Sequence, residues 1–240
     1  MKRILSALIV LMLAPASVLA AEKHLNLDAN DIKQLRTETG AGALHIHGED
    51  VEEIQVKAIL PDELNAEDYR LALTAKGDKA LLIAKLTEQR HHYNQGIDIE
   101  IIVPRTIQLD VYDGSGDSCI RTISGNVNVH DSSGDLALYT ISGDVDITDS
   151  SGDLVVNTLT GNLNVQDSSG GIEIVTLTGE LQLRDSSGDI YVDSVTGPAS
   201  IEDGSGDIEV KNASFVHVIS DGTGQRRFHN VAKVVLPDSD

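Results

Sequence analysis

Apolar side chains in the C-terminal half of the chain fall into one repeated pattern. Counted from each glycine of a nine-residue series, the second and fourth positions are aliphatic. These are Leu136 and Leu138, Val145 and Ile147, Leu154 and Val156, Leu163 and Val165, Ile172 and Ile174, Leu181 and Leu183, Ile190 and Val192. Alternation with a period of two over four or five residues predicts a short strand with one buried face. In every second half-repeat the seventh position is aliphatic too (Ile123, Ile141, Leu159, Leu177, Val195), whereas the other halves carry Ser132, Ser150, Ser168 and Ser186 there. The pattern predicts one corner filled by aliphatic side chains and an opposite corner filled by small hydroxyls.

The glycines that punctuate these strands are Gly116, Gly125, Gly134, Gly143, Gly152, Gly161, Gly170, Gly179, Gly188, Gly197 and Gly206, with Phe215 in place of the next and Gly224 resuming the series. A turn repeated at fixed intervals explains them, since glycine adopts at little cost the dihedrals that other residues avoid. Asp-Ser-Ser-Gly or a close variant begins at Asp113, Asp131, Asp149, Asp167, Asp185, Asp203 and Asp221, so the unit is an eighteen-residue coil of two unequal halves. One such coil cannot bury its apolar face alone. Stacking coils about 4.8 Å apart through parallel backbone hydrogen bonds buries it continuously, and about six coils make a core about 30 Å long. The predicted fold is an all-β parallel β-solenoid, right-handed by the general crossover preference. The first coil departs from the pattern with Ser118 at an apolar position.

The predicted organisation is a signal peptide over 1–20, a small β-rich N-terminal domain or cap over 21–112, solenoid repeats over 113–224, and a C-terminal cap and tail over 225–240. Within 21–112 the pattern predicts strands at 33–38, 43–47, 53–59, 69–75, 80–86 and 97–103. Gly40-Ala41-Gly42 followed by Leu44 and Ile46 reads as an early, eroded turn of the same repeat. Gln225-Arg226-Arg227-Phe228 and Val231 to Leu236 read as a closing strand that covers the exposed end.

Val103-Pro104, then Ile107-Gln108-Leu109-Asp110-Val111, then Gly116-Asp117 and the Ser-Gly-Asp turns resemble the bacterial putative-adhesin β-strand-repeat family, an exported domain of unknown function. The resemblance covers nearly all of 24–236. It implies a parallel β-solenoid in an exported or envelope protein. The family offers no catalytic residues to carry over, and its adhesin label rests on fold analogy.

Composition narrows the function further. Lys2 and Arg3, the apolar stretch Ile4 to Leu13, and Val18-Leu19-Ala20 form a secretory signal with cleavage after Ala20. The expected product is periplasmic or secreted, without stable membrane insertion. Removing the signal leaves sixteen basic against 38 acidic side chains, a net charge of about −22. Between residues 113 and 224, Arg121, Arg184 and Lys211 face nineteen acids, which excludes nucleic acid as a partner. Cys119 is the one cysteine, so no intramolecular disulfide forms.

The candidate metal ligands are aspartates flanking the turns: Asp131, Asp149, Asp167 and Asp185 in one column, Asp135, Asp153 and Asp189 in a second. Carboxylates one coil apart repel by about 0.8 kcal/mol in water, a cost bearable without metal. Turn-forming, solubilising aspartate is the expected role, with Ca²⁺ held between coils as the alternative. Thr122/Ser124, Thr140/Ser142, Thr158/Thr160, Thr176/Thr178 and Ser194/Thr196 should point outward in two rows. His45 and His47 share one face of a strand, and His91-His92 sit in a loop; no third ligand accompanies either pair. No nucleophile elbow, phosphate loop or zinc spacing is present. The expected function is a non-enzymatic structural or interaction protein, adhesin-like, without a cofactor. Its partner would be an envelope or extracellular protein or polysaccharide. A polysaccharide-acting β-helix enzyme is a further alternative, disfavoured by constant coil length and by 3% aromatics with no Trp.

Overall fold

The computed structural model describes residues 21–62, 64–87 and 96–237, and every regular element among them is a strand. The N-terminal strands are β1 (Ala21–Asp28), β2 (Gln34–Thr39), β3 (Leu44–Glu49), β4 (Glu53–Leu60), β5 (Tyr69–Lys76), β6 (Lys79–Leu86) and β7 (Asp98–Pro104). The repeats supply β8 (Gln108–Asp113), β9 (Ser118–Ile123), β10 (Val127–Asp131), β11 (Leu136–Ser142), β12 (Val145–Thr148), β13 (Leu154–Thr160), β14 (Leu163–Gln166), β15 (Ile172–Thr178) and β16 (Leu181–Asp185). The last coils are β17 (Ile190–Ser205), β18 (Ile208–Thr223), β19 (Arg226–Val231) and β20 (Val234–Val235). The predicted signal segment, 1–20, lies outside the described residues, as do His91, His92 and the tail 238–240.

These strands stack into a parallel β-solenoid. In one column β8, β10, β12, β14, β16 and the second half of β17 pair in parallel. In the other, β9, β11, β13, β15 and the first half of β17 do the same. Register confirms the eighteen-residue coil: Leu136 pairs Leu154, which pairs Ile172, which pairs Ile190. From Leu136 onward each repeat coil sends five aliphatic side chains inward. In the coil starting at Leu154 these are Leu154, Val156, Leu159, Leu163 and Val165, none more than 1% exposed. Each such burial is worth about 1.5–3 kcal/mol, and stacking brings like side chain onto like without a break.

The corners explain the glycines. Gly152 has φ +132°, and a Cβ there would overlap the carbonyl oxygen of Gly134 one coil below. Gly197 lacks a left-handed φ, yet a Cβ would still strike the carbonyl of Gly179, so close backbone approach alone demands glycine there. The interruption at Phe215 is a deletion. Phe215 pairs Pro198 rather than Gly197, and the register recovers at a bulge after Val218, where Ile219 is left 43% exposed.

The ladder runs on below β8. Strands β2 and β3 pair in parallel with β8 and β9, and Ala41 bridges Ser115, so Gly40-Ala41-Gly42 is a corner of the same solenoid. Below them β6 and β7 form a further layer, paired in parallel with β2 and β3. The edges are then closed antiparallel, β5 on β6 in one column, β4 on β7 and β1 on β4 in the other. Pairing partners β4 and β1 bury Ile54, Val56, Ala58 and Leu60 at this end. A single hydrophobic cluster extends from Ala29 to Val218. At the far end β19 and β20 continue the two columns rather than fold across them.

Candidate functional site

The alternation of each short strand runs two residues past its last aliphatic. After Val145 and Ile147 the next inward position is Asp149, and its side chain enters the core. Asp113, Asp131, Asp149, Asp167, Asp185 and Asp203 are all buried, Asp149 at 2% exposure. This corrects the expectation for that corner: Ser132, Ser150, Ser168 and Ser186 are exposed, and the carboxylates fill it instead. One oxygen of each is held locally. Asp131 Oδ1 accepts the Ser133 N–H at 3.2 Å, Asp149 Oδ1 that of Ser151 at 3.1 Å, and Asp185 Oδ1 that of Ser187 at 3.0 Å. The other oxygen has no partner among the described residues in Asp131, Asp149, Asp167, Asp185 and Asp203. Burial raises these carboxyls above the ordinary range despite the serine N–H bonds. Asp131 is pushed to about 7 by burial and then by the charges of Asp113 and Asp149. Burial, with Asp167 and Asp203 nearby, takes Asp185 to about 6.

The two ends of this column are built differently. Asp113 accepts hydrogen bonds from Thr39 Oγ1 at 2.7 Å, Ser118 Oγ at 2.8 Å and the Gly114 N–H at 2.9 Å. Asp221, with its side chain 2% exposed, pairs through Oδ2 with the guanidinium of Arg226 at 2.5 Å, and its Oδ1 has no partner among the described residues. Ser118 and Arg226 occupy the same register position, filled by Leu136, Leu154, Ile172, Ile190 and Ile208 in the coils between. The two departures from the apolar pattern thus supply donors to the first and last carboxylates of the column.

The second predicted column lies outside. Asp117 Oδ1 accepts the N–H of Asp135, Asp135 Oδ1 that of Asp153, Asp153 Oδ1 that of Gly171, and Asp189 Oδ1 that of Asp207, at 2.8–3.2 Å. The opposite corner uses the same device through Asn126, Asp144 and Asn162. At these corners the side chain after the glycine satisfies a backbone N–H of the next coil, which the local path leaves without a strand partner. The structure separates the candidate ligands into a buried set (Asp131, Asp149, Asp167, Asp185) and an exposed set (Asp135, Asp153, Asp189). Among the described residues no three His, Cys, Asp or Glu side chains converge as a metal site. His45 is exposed and His47 Nε2 lies 3.8 Å from Glu49.

The model of the Toastrack DUF4097 family matches residues 98–218, half of the chain. The chain belongs to the Toastrack family. Among solved structures, a Parabacteroides distasonis protein described as a putative lipid binding protein superposes with TM-score 0.56 at 18% identity, over 90% of this chain and 97% of that one. This likeness is one of fold. A putative cell adhesion protein of Clostridium sporogenes (TM-score 0.39, 16% identity, 88% of this chain and 99% of that one) is also similar. So is a putative adhesin of Bacteroides fragilis (TM-score 0.40, 14% identity, 90% and 97%). No curated protein matches the chain.

The faces of this Toastrack solenoid are flat and polar. On the short-strand face Asn128 Nδ2 donates to Asp110 and Asn164 Nδ2 to Asp146, each at 3.0 Å. Tyr112 stacks on His130 with centroids 4.6 Å apart, under the Arg36 guanidinium at 3.9 Å. Farther along the rod a shallow groove of about 560 Å³ runs past Gln166, Arg184 and Glu202, and Asp149, Asp167, Asp185 and Asp203 contribute to its lining. The outward threonines hold a surprise in their backbone. Thr122, Thr140, Thr158 and Thr176 have φ between 58° and 62°, a left-handed conformation uncommon for a β-branched residue, and Asn212 and Asn230 follow in the same column. It bends each long strand so that Ile141 and its equivalents turn inward after two outward residues. Among the described residues, no helix is long and apolar enough to cross a membrane.

Proposed function

We propose that the protein is an exported, non-enzymatic interaction module, an acidic adhesin-like rod that engages an envelope or extracellular protein or polysaccharide along its side. The observation that carries this reading is the constancy of the coil. From Asp113 to Gly206 no loop interrupts the stack, so the outer rows form continuous strips of carboxamide, carboxylate and hydroxyl groups. A flat repeating strip suits an extended partner that makes many weak, similar contacts. An aromatic platform, Arg36–Tyr112–His130, adjoins the Asp110–Asn128 end of that strip and provides a place where such contacts concentrate. Export is supported by Lys2, Arg3 and the small-residue site ending at Ala20. The repeated serines occupy equivalent turn positions, so no copy is singled out as a nucleophile.

The test is a comparison of binding to envelope proteins and polysaccharides by the wild type and a variant with Asn128, Asn164 and Gln182 replaced by Lys. The expected result is binding lost in a variant whose melting temperature is unchanged. Release of reducing ends from any bound polysaccharide would overturn the non-enzymatic reading.

A further inference from the structure

The buried carboxyl column is the least expected feature of the core. Five consecutive aspartates, Asp131, Asp149, Asp167, Asp185 and Asp203, are each more than nine-tenths buried, and each has an oxygen without a hydrogen-bond partner among the described residues. An array of ionised carboxylates in that setting is severely penalised, because burial removes hydration and no protein donor among the described residues reaches the orphan oxygens. The ends of the column show that the carboxyls need donors. Thr39 and Ser118 hydroxyls serve Asp113, and Arg226 serves Asp221, both Ser118 and Arg226 having displaced an aliphatic residue to do so. Between the ends the corresponding positions are Leu136, Leu154, Ile172, Ile190 and Ile208, which donate nothing.

We propose that these five interior carboxyls form a buried proton-binding site, in which neighbouring coils share protons as carboxylic acid–carboxylate pairs. The geometry permits it. Coils are about 4.8 Å apart, and the two oxygens of one carboxyl lie about 2.2 Å apart. Tilting the carboxyl planes toward the rod axis brings oxygens of successive coils to about 2.6 Å, the length of a strong O–H···O⁻ bond. Each proton shared between successive coils then gives one orphan oxygen a partner while retaining the Oδ1 contact with the serine N–H. The column would hold its protons in mildly acidic solution and release them toward neutral pH, titrating as a coupled array rather than as single sites.

The surroundings favour the bound proton. The groups facing the column are mostly acids: Asp113 and Asp221 at its ends, and Asp135, Asp153 and Asp189 on the outer turns beside Asp149, Asp167 and Asp203. Among the described residues Lys85 lies toward Asp113 and Arg226 pairs with Asp221 at the ends, while Arg184, which lines the same groove as Asp167 and Asp185, pairs outward with Glu202. Burial raises the folded-state carboxyls above their unfolded values, with Asp185 at about 6 and Asp131 at about 7. The folded state therefore binds more protons than the unfolded chain. The associated stability is fully present below about pH 4 and is lost as pH rises through 6 to 7.

The direct test is carboxyl ¹³C NMR of the intact protein labelled at aspartate Cγ, titrated from pH 3 to 9 in NaCl. A subset of aspartate resonances should titrate between pH 5 and 8, and Asp149→Asn/Asp167→Asn should leave fewer of them in that window. The melting temperature should fall by roughly 10 °C between pH 5 and pH 8 in the wild type. The double variant should show a flatter profile and melt higher than wild type at pH 8, because the amide supplies a permanent donor. Completion of every aspartate titration below pH 5 would overturn the proposal. So would a saturable rise in melting temperature on adding Ca²⁺ or K⁺ at constant ionic strength that the double variant lacks, since a cation would then occupy the place assigned to the protons.

Discussion

Two columns of side chains run the length of the same rod at opposite corners of each coil. One is aliphatic, Ile123, Ile141, Leu159, Leu177 and Val195; the other is Asp131, Asp149, Asp167, Asp185 and Asp203. Their burial is alike and their repeat identical, yet the demands they make differ. An aliphatic column is complete at every level, because each residue finds its neighbour's hydrocarbon above and below. A carboxyl column is complete only where something donates to it. That is why the exceptions to the repeat, Ser118 and Arg226, gather at the ends of the acidic column rather than of the aliphatic one. In a one-dimensional array a cheap interaction multiplies freely, while a costly one forces the sequence to break its own symmetry.

The sharpest way to break this comparison is to exchange the chemistry of the columns. Leu159→Asp places a charge between Ile141 and Leu177 without a donor, and should cost more than about 4 kcal/mol, enough to unfold the rod. Outward Asn157→Asp should change stability by less than about 0.5 kcal/mol. Equal urea midpoints for these variants would refute the register. Next in size is Arg226→Leu, which restores the apolar repeat but strands Asp221. A loss of about 2 kcal/mol is expected, largely recovered by adding Asp221→Asn; a gain in stability would show that the end needs no donor. Asp153→Ala on the exposed column removes only the acceptor of the Gly171 N–H, 2.8 Å away. The expected cost is about 1 kcal/mol by chemical denaturation. The smallest effect has the opposite sign. Thr158→Asn relieves a left-handed β-branched residue with one the chain itself uses at Asn212 and Asn230, and should stabilise by about 0.5 kcal/mol in a matched thermal melt.

The sequence made the period, the corner glycines and the inward aliphatics legible, because each is a local requirement repeated many times. The outer aspartates were legible as turn residues, though their acceptance of an N–H from the next coil depends on stacking. The buried carboxyls were readable in principle: Val145-Ile147-Asp149 continues a strict alternation, and only the polarity of the third residue hid its direction. The left-handed threonines left no mark, since nothing in residue type announces that conformation in threonine. Strand β1 was missed because Ala21–Asp28 offers only Leu25 and Leu27 as partly buried hydrophobics. The antiparallel closure by β1, β4 and β5 was likewise invisible, being set by which edges remain unpaired after the stack has formed.

One further consequence lies in the path of the chain. Strands β2 and β3 come first of the parallel coils in sequence but second in the stack, held between β6–β7 on one side and β8–β9 on the other. The rod thus grows outward in both directions from its earliest coil. Tandem duplication or loss of eighteen codons can lengthen or shorten the stretch from Gly134 onward and leave both termini in place. The same event at β2–β3 would pull a floor from the middle of the building, so variation in rod length is channelled into one end of the gene.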